Sequence, residues 1–214
     1  MKNSFVIGSS TIPGGVIIPK IMPEWIKRNP NIPLRVEVSD SRETYEKVKQ
    51  GDYELGIIGT RYPDNDIEYT SVIHGDRLVL IANRDHPLAG KNNVRLEDLK
   101  GQPFISREEG SGTRTSYENA LKDAGFSPSD LNVVAEIGNT EGVIQAVEAG
   151  AGISIVSEVA IGEATNCGNV VVVDLPVRMA RDFYIITNKR KPLSREGKEV
   201  LTMLEELIEH RSAA

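Results

Sequence analysis

Four short stretches of this sequence combine glycine, hydroxyl and amide residues in a way that suits anion binding. They are Ser9-Ser10-Thr11, Gly59-Thr60-Arg61, Gly110-Ser111-Gly112-Thr113-Arg114 and Asn139-Thr140. Each follows a strand-like run. The first turn of a helix leaves backbone N–H groups unbonded at the positive end of its dipole, so an anion is held there without a cationic side chain. Glycine lets the backbone approach a ligand closely, and hydroxyls add donors. The Ser111 turn is the strongest of the four, because glycines flank the serine and Arg114 follows. Ser, Thr and Asn before helices also serve as ordinary N-caps, and Arg114 has the alternative of a solvated helix residue. Four such turns at strand ends favour a ligand over capping alone.

Other chemistries lack their residues. The Ser111 turn has no Gly-Lys-Ser/Thr ending, so it is not a phosphate loop, and neither GxGxxG nor Gly-x-Ser-x-Gly occurs. His74, His86 and His210 are scattered, with no metal-ligand spacing to one another or to Cys167. Glu108 and Glu109 are adjacent, so on a strand end they point to different sides; they read as solvated loop charges rather than an acid/base pair. The expectation is a binding protein with no catalytic residue, no metal and no cofactor.

The elements that must position these turns alternate between strand and helix. Strands are expected over 4–8, 34–38, 55–58, 67–73, 77–83, 103–106, 131–137, 153–156, 170–173 and 183–187. The sequence His74-Gly75-Asp76 reads as a turn between two of them. Ile17, Ile18, Ile21, Met22, Trp25 and Ile26 recur on one helix face, after Pro13-Gly14-Gly15. Further helices are expected over 42–50, 96–100, 114–124 and 140–149. A C-terminal helix carries Val200, Leu201, Leu204, Leu207 and Ile208 at helical spacing. Such alternation implies largely parallel sheets. The unit of strand, polar turn and helix occurs near residue 8 and again near 110, which suggests two similar lobes. They are expected to be 1–82 plus 184–214, and 83–183, joined by crossing strands near 81–83 and 181–184.

Composition narrows the class. With 39% hydrophobic residues the chain supports a packed core, and with only 5% aromatic that core is aliphatic. A net charge of −6, with no Lys/Arg run, argues against nucleic-acid binding by this chain itself. A lone cysteine permits no internal disulfide, which fits a reducing compartment. The start, MKNSFVIGSS, has no apolar run of signal-peptide length, and no run of eighteen apolar residues occurs. A cytoplasmic protein with no membrane contact is expected.

Four stretches together resemble the effector-binding domain of LysR-type transcriptional regulators. They are FVIGSSTIPGGVIIPKIMPEWIKRNPNIPLRVEV, VKQGDYELGIIG, LVLIANRDHPLAG and IGNTEGVIQAVEAGAGISIVSE. The likeness covers essentially the whole chain; its most typical parts are Gly51-Asp52-Tyr53-Glu54-Leu55-Gly56-Ile57, His86-Pro87-Leu88-Ala89 and Gly150-Ala151-Gly152-Ile153. It implies an α/β fold of two Rossmann-like lobes around a central cleft, similar to type-2 periplasmic binding proteins. It also implies effector contacts at Ser9, Ser10, Thr11, Gly59, Thr60, Ser106, Gly110, Ser111, Gly112, Thr113, Asn139 and Thr140. The GSGTR turn is similar to that of members governing sulfur assimilation or carbon fixation, whose effectors are often small anions. Such members begin with a winged helix-turn-helix of which nothing corresponds here. The expectation is therefore an excised domain that meets DNA only through that absent part, and that forms a homodimer through the helix over 17–26. A transporter's solute-binding protein shares the fold and stands as the alternative.

Overall fold

The computed structural model describes residues 4–162 and 168–212. Cys167 lies outside the described residues, as do the side chains of Ile208 and His210. The chain divides into two compact units, Met1–His74 with Asp182–Ala214, and Gly75–Arg181.

In the first unit, β1 (Phe5–Ser10) is the centre of a sheet, parallel to β2 (Leu34–Ser39) on one side and to β3 (Leu55–Ile58) on the other. Parallel neighbours need a crossover, and two helical segments supply the first: α1 (Thr11–Val16) and α2 (Ile18–Arg28). The helix thus begins at Thr11, earlier than the sequence pattern suggests, and takes in Pro13-Gly14-Gly15. Pro13 falls in the first turn, where its missing N–H is one of the groups left unbonded anyway. Ile17, Ile18, Ile21 and Trp25 are buried, whereas Ile26 is 64% exposed. The second crossover, α3 (Ser41–Gln50), is started by Asp40, whose carboxylate accepts the Glu43 N–H at 2.8 Å. The C-terminal helix (Arg195–Ser212) belongs to this unit and is tied to the end of α2 by a 2.8 Å bond from Asn29 to Glu199.

The expected turn at 74–76 is not there. Ile67–Asn83 is one strand, β4, continuing from the first unit into the second. Gly75 has φ +68, a kink that glycine tolerates within a strand. Asp76 beyond it is buried and held in place by Ser157 and Arg181, so the chain bends without reversing. The return strand β9 (Met179–Asn188) likewise belongs to both units and pairs antiparallel with β3.

In the second unit, β4 pairs antiparallel with β7 (Ser154–Ser157) and β8 (Val170–Val173). A parallel pair, β5 (Pro103–Arg107) and β6 (Asn132–Ile137), joins β7 through a bridge between Phe104 and Ile153. The helices α4 (Gly112–Asp123) and α5 (Thr140–Glu148) complete it. Leu80, Phe104, Tyr117, Leu121 and Ile155 form one apolar core; Ile81, Ile105, Val143, Val147 and Val156 form another. Odd and even residues of the same strands feed the two cores, as alternation along a strand buried on both faces requires.

Candidate functional site

Each unit brings two of the candidate turns side by side. In the first, Ser9 pairs in register with Ile57, so β1 and β3 run in the same direction and end at the same edge. Ser9-Ser10-Thr11 and Gly59-Thr60 continue from those ends. In the second, Arg107 pairs with Ile137, so the Ser111 and Asn139 turns leave the carboxyl ends of β5 and β6 together. This is where open α/β sheets hold ligands.

The turns differ in which polar groups remain available. Ser9 is fully buried and donates its hydroxyl proton to the Ser10 carbonyl at 2.9 Å. Ser10 starts α1, yet its hydroxyl caps nothing. Thr11 and Thr60 are half-buried. The Gly59 amide reaches Ser41 Oγ at 3.4 Å. In the second unit Ser106 Oγ donates to the Arg107 carbonyl at 3.0 Å, so at 2.9 Å it accepts the Tyr117 hydroxyl. Burial pushes that Tyr117 hydroxyl up to about 12, so it remains a donor. Asn139 accepts the Gly142 N–H at 2.7 Å as a true N-cap.

Ser111 is different. It precedes α4, is 2% exposed, and its hydroxyl has no hydrogen-bond partner among the described residues. Gly110 before it has φ +92, a conformation that a glycine adopts without strain. Gly112 and Thr113 are buried beside it. The first helical bond of this turn runs from the Thr115 N–H to the Ser111 carbonyl. The amides of Gly112, Thr113 and Arg114 precede it, in the stretch that a helix leaves unbonded. A buried hydroxyl with no partner costs free energy that a bound acceptor would recover.

The sequence reading missed what holds this turn in place. Arg107 is 2% exposed and donates to Glu108 at 2.6 and 2.7 Å and to Thr140 Oγ1 at 2.6 Å. Thr140 therefore spends an acceptor lone pair on Arg107 and keeps its own O–H. Glu108 is not a solvated charge; it is the counter-ion of Arg107, while Glu109 alone is exposed. Arg114 is spent too, on Glu118, Glu136 and the Arg107 carbonyl. A second buried ion pair joins Arg181 to Asp76 at 3.1 Å, with Ser157 donating to the same carboxylate at 2.7 Å. Burial pulls the Arg181 guanidinium below its usual value, and the nearby charge of Arg107 acts in the same direction. The signal available in the sequence was Arg107 itself, a cation closing a strand whose other residues are apolar or small.

Two α/β units with anion-ready turns at the carboxyl ends of parallel strands define a small-molecule-binding domain of the type-2 periplasmic-binding-protein kind. The chain belongs to the LysR substrate binding domain family, whose model matches residues 2–209. It is 39% identical over 187 residues to an HTH-type transcriptional regulator of Methanocaldococcus jannaschii, covering 86% of this chain and 62% of that protein. It is 30% identical over 201 residues to the HTH-type transcriptional activator CmpR of a Synechocystis strain, covering 94% of this chain and 64% of that protein. The chain thus spans less than two thirds of either relative. Among solved structures it matches the CcmR regulatory domain of Synechocystis PCC6803 in complex with 2-PG. That match has a TM-score of 0.84 and 27% identity, over 96% of this chain and 97% of that one. Among the described residues, no helix is long and apolar enough to cross a membrane.

Proposed function

We propose that this chain is the effector-sensing domain of a LysR-type transcriptional regulator. It binds a small anionic metabolite and thereby shifts the population of its conformations. The full-length protein passes that shift to a DNA-binding part outside this chain. The observation that carries the reading is the buried, partnerless hydroxyl of Ser111 at the start of a twelve-residue helix. In the second unit the ligand-facing groups are the Ser111, Thr113 and Thr140 hydroxyls and the Gly110–Gly112 backbone; in the first, taken by itself, they are Ser10, Thr11, Gly59 and Thr60. Ser9, Ser106 and Asn139 hold those groups in position. The relatives favour this reading over a transporter's binding protein, since they are described as transcriptional regulators, and the CcmR domain was solved with a small ligand bound.

The domain works in the cytoplasm, turns nothing over, and pairs as a homodimer through α2. The exposed Ile26 on α2 and Val38, 53% exposed on β2, support that pairing. A single-chain mass at micromolar concentration would contradict it, and Ile26→Glu should convert dimer to monomer. The effector reading is tested by a thermal-shift screen against sulfate, phosphate, small carboxylates and 2-PG, since a ligand selective for the folded state raises the melting temperature. Thr113→Val and Ser10→Ala should each shrink the shift given by a hit while leaving the unliganded melt in place. If both variants respond like the wild type, the effector binds elsewhere; enzymatic conversion of a hit would reject the sensor.

A further inference from the structure

Arg61 follows β3 in the first unit, and its guanidinium has no hydrogen-bond or ion-pair partner among the described residues. It lies instead over two rings, 4.9 Å from the centre of Tyr69 and 5.4 Å from that of Tyr184. Those rings meet edge to face, 5.9 Å apart at 86°. Tyr69 is braced in turn, since its hydroxyl donates to the Tyr62 carbonyl and accepts the Tyr62 N–H, both at 3.1 Å. Stacking on a ring occupies the face of a guanidinium and leaves its N–H edge free, the edge that matches two oxygens of a carboxylate or phosphate.

Arg61 lines a cavity of about 540 Å³ together with Tyr62, Tyr69, Glu68 and Lys189. Lys189 donates to the Asn65 carbonyl at 3.1 Å, which uses one of the three donors of its ammonium group. Asp64 also borders the cavity, but its carboxylate is taken by Tyr45, Lys49 and the Asp66 N–H. Glu68 is the remaining acidic side chain in the lining and is exposed. We propose that this cavity is a second anion site, contained within the first unit, which holds a small carboxylate or phosphate on the edge of Arg61 with Lys189 as the second cation. It does not depend on the Ser111 turn, which carries the effector reading, although Gly59 and Thr60 just before Arg61 are among the contacts proposed there.

The test follows the Arg61 Nε–H signal by NMR, and heat by calorimetry, as citrate or inorganic phosphate is added to this chain at low ionic strength. At least one anion should move that signal. Arg61→Gln should weaken the matching isotherm about tenfold, Arg61→Lys less, and Glu68→Gln should tighten it. A response to citrate alone assigns a carboxylate, and to phosphate alone a phosphate ester. The proposal fails if the signal is still at up to about 10 mM of both, or if Arg61→Gln binds as the wild type does. It fails equally if Thr113→Val removes the same isotherm, since the two sites would then be one.

Discussion

The two units place similar turns at the ends of similar strands, yet they hold them by different means. In Gly75–Arg181 the turn is fixed by buried charge: Arg107 joins Glu108 to Thr140, and Arg181 joins Asp76 beside Ser157. In the unit containing β1 the turn residues are held by backbone, as when Ser9 bonds to the Ser10 carbonyl, and the helix they begin is only six residues long. Its charged groups meet tyrosines rather than a buried guanidinium, with Arg61 exposed against Tyr69 and Tyr184 and Asp64 between Tyr45 and Lys49. Buried charge is costly to assemble and resists rearrangement once paired. The Ser111 turn is thus the more rigidly held of the two, and the Ser10 turn the more adaptable.

The most direct way to break that comparison is to remove the buried cation. Arg107→Met leaves the Glu108 carboxylate without its counter-ion and Thr140 without its donor. We expect a loss of about 2–3 kcal/mol in unfolding free energy, read from urea midpoints. Arg61→Gln in the other unit, with an exposed guanidinium and no ion pair, should change the same midpoint by less than about 0.5 kcal/mol. Equal losses in the two variants would remove the distinction between the rigidly and the loosely held turn.

Ser111→Ala sharpens the comparison through sign. Deleting a buried hydroxyl that has no partner removes an unmet desolvation cost, so the unliganded protein should gain about 1 kcal/mol. The same change deletes a donor to the anion, so affinity for a screened effector should fall about tenfold. Melts with and without ligand read both effects. A loss of stability without ligand would make Ser111 a packing residue.

How much of this was legible in the sequence depended on whether the deciding interaction was local. The strands near 5–10 and 55–58 and the buried face of Ile17, Ile18, Ile21 and Trp25 were readable because periodicity follows directly from burial. The turn at Asn139 was readable because capping chemistry is local; the turn at Ser111, whose hydroxyl caps nothing, was readable through its flanking glycines. The continuity of β4 through Gly75 was not, since His-Gly-Asp is a fair turn signal. What overrides it is the binding of Asp76 by residues 81 and 105 positions further along the chain. Arg107 was hidden for the same reason: beside Glu108 and Glu109 it reads as one more solvated charge, and only Thr140, 33 positions on, reveals that it is buried. The charge of Arg114 was legible, but its commitment to Glu118 and Glu136 was not.

The smallest expected effect concerns the Asp64 carboxylate of the first unit. The Asp64 carboxyl is held well below the usual carboxylate range, first by the Tyr45 hydroxyl, then by the Asp66 N–H and Lys49. A carboxyl lowered in the folded state stabilises above its unfolded value of about 4 and loses that contribution as pH falls through the folded value. Asp64→Asn should therefore have its largest deficit against the wild type near pH 7. The deficit should close as pH falls below about 4, because the unfolded wild-type chain then takes up a proton at Asp64 while the folded carboxylate still stays ionised. Urea midpoints of both proteins across that range measure it. The Arg107 deficit should shrink less over the same range, because loss of Thr140's donor is independent of pH. If both deficits closed together, the two units would be held by the same kind of charge.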